Sequence, residues 1–272
     1  MDKHYEQYME MQRKYYDNTS IPSKEIVGNY EVNEAFPYET FLLFINGDLR
    51  FPIFEDFSDK VALDFACGPG RMVKRMSRLF KRVDGVDIAP RLIEEAKTNC
   101  PGSNFYVSSG DDLGDAPENT YDFVYSTIAM QHIAVYSVRM NILKHINNVL
   151  KEDGCFTIQM AFNKHSPFSY TLADGILNDD IRVIVKLKEK RHAYWLEDRI
   201  DANCTNGACD VAIGPADVPL VVADFSRYFR DIRVWFCEDS LFNIDIYDLE
   251  SVVKNEGNFY WATHKIFIHG RK

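Results

Sequence analysis

Val61-Ala62-Leu63-Asp64-Phe65-Ala66-Cys67-Gly68-Pro69-Gly70-Arg71 decides how this chain is read. An apolar run reaches an acid, enters a turn of small residues and opens a helical pattern. That order is a strand, a tight loop and a helix start, where backbone can press against a nucleotide-like ligand. A second acid closes the next short apolar run, Val83-Asp84-Gly85-Val86-Asp87, about twenty residues on. A carboxylate there can accept hydrogen bonds from both hydroxyls of a ribose. The combination points to a nucleoside-containing cofactor.

Outward from this stretch, strands and helices alternate. The pattern predicts strands at 61–65, 82–87, 104–107, 121–126 and 155–161, and helices at 71–80, 90–99 and 138–150. Pro90 suits a first helical turn, and Asp153-Gly154 suits a helix end. This rhythm predicts a doubly wound, mostly parallel α/β sheet covered on both faces. Ligands of such sheets sit beyond the carboxyl ends of the strands. Both acids, the glycines and the loops after Ser109 and Ser126 fall there.

Four regions follow. Residues 1–58 read as an N-terminal lid, helical over Tyr5–Tyr16 and again over Tyr38–Ile45; 59–162 form the cofactor-binding core. Residues 163–230 break the rhythm and read as an inserted cap. It contains a hairpin tipped by Asn206-Gly207, a strong signal for a tight primed turn, and a helix over 217–229. Residues 231–272 supply final strands at 232–237 and 260–269.

The 272 residues carry a formal net charge of −10, which argues against extended nucleic-acid binding. The basic run Arg71, Lys74, Arg75, Arg78, Lys81 and Arg82 reads as a solvated helix face. No apolar run approaches the roughly 18 residues of a membrane span. Six cysteines without a CxxC pair suggest a reduced, cytoplasmic protein with no metal centre. Cys204 and Cys209 would face each other across the hairpin; free thiols are the expected state.

The third position of a dinucleotide fingerprint is Val73, and GxxxxGK[ST] is absent, which weakens nicotinamide, flavin and triphosphate readings. The residues instead resemble the class I S-adenosylmethionine-dependent methyltransferases. Asp64–Arg71 resembles the first motif of that family and Gly85-Val86-Asp87 its second. Gly110-Asp111-Asp112-Leu113 is similar to its adenine-side loop. Tyr121–Ser126 with Met130-Gln131-His132-Ile133 resembles its fourth strand and turn, and Leu150–Cys155 the entry to its fifth strand. The resemblance implies a Rossmann-like fold and S-adenosyl-L-methionine as cofactor, with S-adenosyl-L-homocysteine as product. It places the methionine part against Ala66, Cys67, Gly68 and Gly70, the ribose at Asp87 beside Ile88, and the adenine at Gly110, Asp111, Asp112 and Leu113. Asp64 orients the glycine loop or meets the ammonium group, Ser126 borders the site, and Tyr16 closes over the cofactor. Turn capping at strand ends is the structural alternative for Asp64 and Asp87. Ala66 stands where the family usually has Gly, which is tolerable if its backbone angle is ordinary.

Methyl transfer is an in-line displacement, so the protein mainly aligns the reactants. An alcohol or protonated amine acceptor must also lose a proton. His132, just past the fourth strand, is the first candidate base; His165 is the second, and Gln131 could orient the acceptor. The expected partner is a small-molecule acceptor methylated on oxygen or nitrogen, and the chain a monomer or homodimer. The alternatives are a protein or RNA methyltransferase and a non-catalytic S-adenosylmethionine sensor.

Overall fold

The computed structural model describes residues 3–23, 56–133, 135–162, 212–214, 217–238, 246–247 and 264–272. His165, Cys204, Cys209, the Asn206-Gly207 tip and the helix expected over Tyr38–Ile45 lie outside them.

The described elements are α1 (Lys3–Tyr16), β1 (Val61–Phe65), α2 (Arg71–Met76), β2 (Arg82–Asp87), α3 (Pro90–Asn99), β3 (Phe105–Val107) and β4 (Tyr121–Ser126). A 3₁₀ turn (Met130–His132) leads to α4 (Tyr136–Val149) and β5 (Leu150–Phe162). Then follow β6 (Ala212–Ile213), α5 (Val218–Phe225), β7 (Arg230–Glu238), β8 (Ile246–Tyr247) and β9 (His264–Arg271). These strands form one mixed sheet in the order β3-β2-β1-β4-β5-β9-β7-β8, with β6 also paired to β5. Strands β1 to β6 pair in parallel. The late strand β9 inserts antiparallel between β5 and β7.

Alternation along the strands builds two cores. Leu63, Val124, Phe156 and Ile158 face Ile142, Leu143 and Ile146 of α4 and Phe225 of α5. Ala62, Val83, Phe123 and Tyr125 face Met72, Val73 and Met76 of α2 and Ile93 of α3. Each fully buried aliphatic side chain of this kind contributes roughly 1.5–3 kcal/mol. The strand order reverses at β1, so β1 and β4 diverge toward opposite flanks and leave a crevice above their carboxyl ends.

Several boundaries differ from the sequence reading for local reasons. The helix expected over 71–80 stops at Met76, and that expected over 217–229 stops at Phe225. Each gives way at a serine, Ser77 or Ser226, whose hydroxyl donates to the carbonyl four residues back at 2.8 Å. Such back-bonding competes with continued helix. Strand β5 starts five residues before Cys155, at Leu150, and carries Asp153 at φ 63°; its pairing with β4 shifts register between Tyr121 and Phe123. Val149, not Leu150, ends α4. Ala212–Ile213, expected in a hairpin arm, pairs with the end of β5. No described helix is long and apolar enough to cross a membrane.

Candidate active site

A cavity of about 380 Å³ opens above the carboxyl ends of β1, β2 and β4. That volume lies within the range of small-molecule sites. Its floor is Asp64 to Pro69, one flank is Asp87 and Ile88, the other Thr127 to Ala129 with His132 and Ile133, and α1 forms the roof.

The loop from β1 into α2 takes left-handed angles: Ala66 has φ 61°, Gly68 φ 53° and Gly70 φ 83°. The sequence reading made Ala66 tolerable on condition of an ordinary angle, and that condition fails. Hydrogen bonds hold the loop there: Cys67 N donates to Val86 O at 3.0 Å, and Gly68 N to Asp87 Oδ2 at 2.8 Å. Burial pushes the Cys67 thiol up, so it stays protonated as part of the wall. Gly70 begins α2 just outside the lining.

Asp87 makes the turn-capping bonds of the structural alternative and also borders the cavity. Its Oδ1 accepts from Ala89 N at 2.9 Å while Oδ2 braces Gly68. Burial raises its carboxyl, and those backbone donors oppose the shift. A carboxylate has about four acceptor positions, and this one borders the cavity. Asp64 is fully buried; burial raises its carboxyl well above the usual range, opposed first by the Arg71 guanidinium. Arg71 lines the cavity rather than the solvated face expected of it, whereas Lys74, Arg78 and Lys81 are exposed. Asp64 and Arg71 therefore share one end of the crevice.

His132 lines the wall from the 3₁₀ turn after β4. That turn is held by buried Arg139 of α4, whose guanidinium donates to Ile133 O. Tyr8 Oη approaches His132 O from the roof at 3.5 Å. Within this wall Ile128 sits at φ 60°, a rare angle for a β-branched residue. Neither Gln131 nor buried Ser126 is among the lining residues.

Of the loop expected to meet the adenine, Gly110 reaches the cavity, together with Ser108 before it. Asp112 is turned into its own loop, accepting from Ser109 N and Gly114 N, both at 2.9 Å, and from Ser109 Oγ at 2.6 Å. Partial burial would raise its carboxyl, but these donors hold it below the ordinary value. Asp111 Oδ2 accepts from Tyr5 Oη at 2.5 Å and from Asn141 Nδ2 at 3.0 Å. Leu113 is packed in the core.

The roof brings Tyr16 to the cavity together with Tyr8, Met9, Gln12 and Tyr15. The sequence alone points to this helix but singles out only Tyr16 for the cofactor. The signal was present: positions 8, 9, 12 and 16 share one helical face. Glycine at position 110, φ 127°, permits the approach, since a Cβ there would lie 3.0 Å from Met9.

A family model described as a methyltransferase domain matches residues 63–158. This chain carries a class I S-adenosylmethionine-dependent methyltransferase domain. It is 29% identical over 115 residues to a trans-aconitate 2-methyltransferase of Enterobacter sp. (strain 638), covering 42% of this chain and 43% of that protein. It is 32% identical over 129 residues to an uncharacterized methyltransferase of Schizosaccharomyces pombe, covering 44% and 49%. The matched region thus spans less than half the length of these curated relatives. A solved phosphoethanolamine N-methyltransferase 1 of Haemonchus contortus, in complex with phosphoethanolamine and S-adenosylhomocysteine, superposes with a TM-score of 0.54. The superposition has 14% identity and covers 99% of this chain and 49% of that one. At that identity the likeness speaks for the methyltransferase fold alone. S-adenosylmethionine is the cofactor of the domain's family, and the crevice suits it: a left-handed small-residue floor, an acid beside the cavity after β2, and an acid-cation pair at one end.

Proposed function

We propose that the chain transfers the methyl group of S-adenosylmethionine to an oxygen or nitrogen of a small metabolite. The observation that carries this reading is the convergence on one cavity of the β1 loop, Asp87 and His132. When bound, the cofactor supplies a sulfonium-activated methyl group. The chain's residues do the rest. Asp87 accepts from the ribose hydroxyls, Asp64 and Arg71 face the amino-acid group, and Tyr16 and its neighbours on α1 exclude water. His132, on the β4 side, takes the acceptor's proton; such general-base help is worth roughly 10²–10⁴-fold. Gly110 borders the base, while Asp111 and Asp112 act behind it by fixing the loop and α1. The trans-aconitate named for one relative is a small molecule, in keeping with the acceptor class.

A panel of small carboxylates, amines and alcohols, assayed for S-adenosylhomocysteine release, tests the proposal. With a responding acceptor, His132→Ala should lose at least a hundredfold in turnover while product affinity holds. Undiminished turnover would remove His132 from the mechanism. The left-handed Ala66 gives the sensor reading its support; binding without release to any acceptor would favour it.

A further inference from the structure

Gln12 is a polar residue in a place where polar residues are costly. It is 6% exposed, it lines the cavity, and its Nε2 has no hydrogen-bond partner among the described residues. Buried donors are nearly always paired, and an unpaired one calls for an explanation. A buried amide donor left unpaired costs stability that a methionine or leucine of similar size would not forfeit.

The helix bearing it is fixed from several sides. Tyr5 donates to Asp111 at 2.5 Å and Arg13 to Ser109 O at 2.9 Å, both in the loop after β3. Asp17, just beyond the helix, accepts from Arg91 N at 2.8 Å in the first turn of α3. These contacts define which part of the crevice each residue covers. Tyr8 stands over the His132 turn, and Met9 packs on Gly110. Tyr16, whose carbonyl accepts from Arg91 at 3.3 Å, marks the α3 end. Gln12 is one turn from Tyr8 and one turn from Tyr16 on the same face, about 6 Å along the axis from each. It therefore faces the middle of the crevice, between the His132 wall and the β2 side.

We propose that Gln12 is a binding residue for the methyl donor and its product: its Nε2 donates to an oxygen of the ribose or amino-acid part. The roof helix then reads the ligand through one directed bond, which neither the apolar Met9 nor the outer anchors can supply. This inference rests on the proposed binding of S-adenosylmethionine. It adds a specific donor from α1, outside the glycine loop and the two acids.

The test is calorimetric titration of S-adenosylhomocysteine into the full chain and into Gln12→Met, with Gln12→Leu as a second variant. Thermal unfolding of each is followed without ligand. A directed bond lost from a dry site should weaken product binding about tenfold. Ligand-free melting should be unchanged or higher, because an unpaired buried donor has been removed. Weaker binding together with lower ligand-free melting in both variants would mean that Gln12 only supports the helix, and would overturn the proposal. Product affinity within twofold of the parent would overturn it too, while leaving the binding site itself intact. No binding by the parent chain would bring down both this inference and the proposed function.

Discussion

Replacing Ala66 with glycine should stabilise the protein, opposite to the usual effect of that change. Ala66 has φ 61°, a conformation that costs an L-residue roughly 1–2 kcal/mol. Rotating out of it would break the bonds of the two amides that follow, Cys67 N to Val86 O and Gly68 N to Asp87. Glycine would relieve the strain but lose more chain entropy on folding, roughly 0.5–1 kcal/mol. The half-buried methyl contributes only a few tenths of a kcal/mol. The central values leave a balance of about 0.5 kcal/mol in favour of Ala66→Gly. At roughly 2–4 °C per kcal/mol for a domain of this size class, melting should rise by about 1–2 °C. Ala66→Val, β-branched at a left-handed position, should fall instead. Circular dichroism melts of the three proteins decide the matter. A lower melting temperature for Ala66→Gly would refute the argument and mean that the loop is not held at this angle.

Two further outcomes follow from buried ionisable groups. Burial lowers His269 from 6.5 to about 4, with Arg233 and Arg271 reinforcing the shift and the Phe156 backbone and Asp231 opposing it. Its folded value lies below its unfolded one, so the unfolded chain takes up the proton first. Stability is therefore full above pH 6.5 and falls as pH drops toward 4, by an upper bound of roughly 3 kcal/mol; urea unfolding of His269→Gln between pH 7.5 and 5 should show a shallower loss than the parent. Asp64 shifts the other way: its folded value is raised, so its contribution is present at low pH and lost as pH rises through that value. Asp64→Asn should thus melt higher at neutral pH yet bind S-adenosylhomocysteine more weakly, and a variant that melts lower and binds as well as the parent would contradict the assigned role.

The parallel sheet was legible because β1, β2 and β4 are short, buried runs ending at Phe65, Asp87 and Ser126, with helical patterns between them. Periodicity reports burial on two faces, and the helices between strands leave few other arrangements. Helix ends were less legible, since Ser77 and Ser226 act through hydroxyl back-bonds that compete with the apolar stripe. The floor and flanks of the cavity followed from Asp64, Gly68 and Asp87, whose types suit strand-end turns. Three features did not follow. Arg71 begins a run of cations, and only its place in the first turn of α2 directs it inward. Asp111 and Asp112 carry the right chemistry, but local donors claim both, as composition alone cannot show. Gln12 looks ordinary in a polar helix until Tyr5, Arg13 and Asp17 are seen to fix that helix over the crevice.

The central claim is that the crevice between the β1 loop and α1 holds the sulfonium nucleoside. Titrating purified, folded protein with S-adenosylhomocysteine, alongside Asp87→Asn, is its most direct trial. Saturable one-to-one binding that weakens at least tenfold in the variant is the predicted result. No heat with the parent chain, or equal affinity in both proteins, would contradict it.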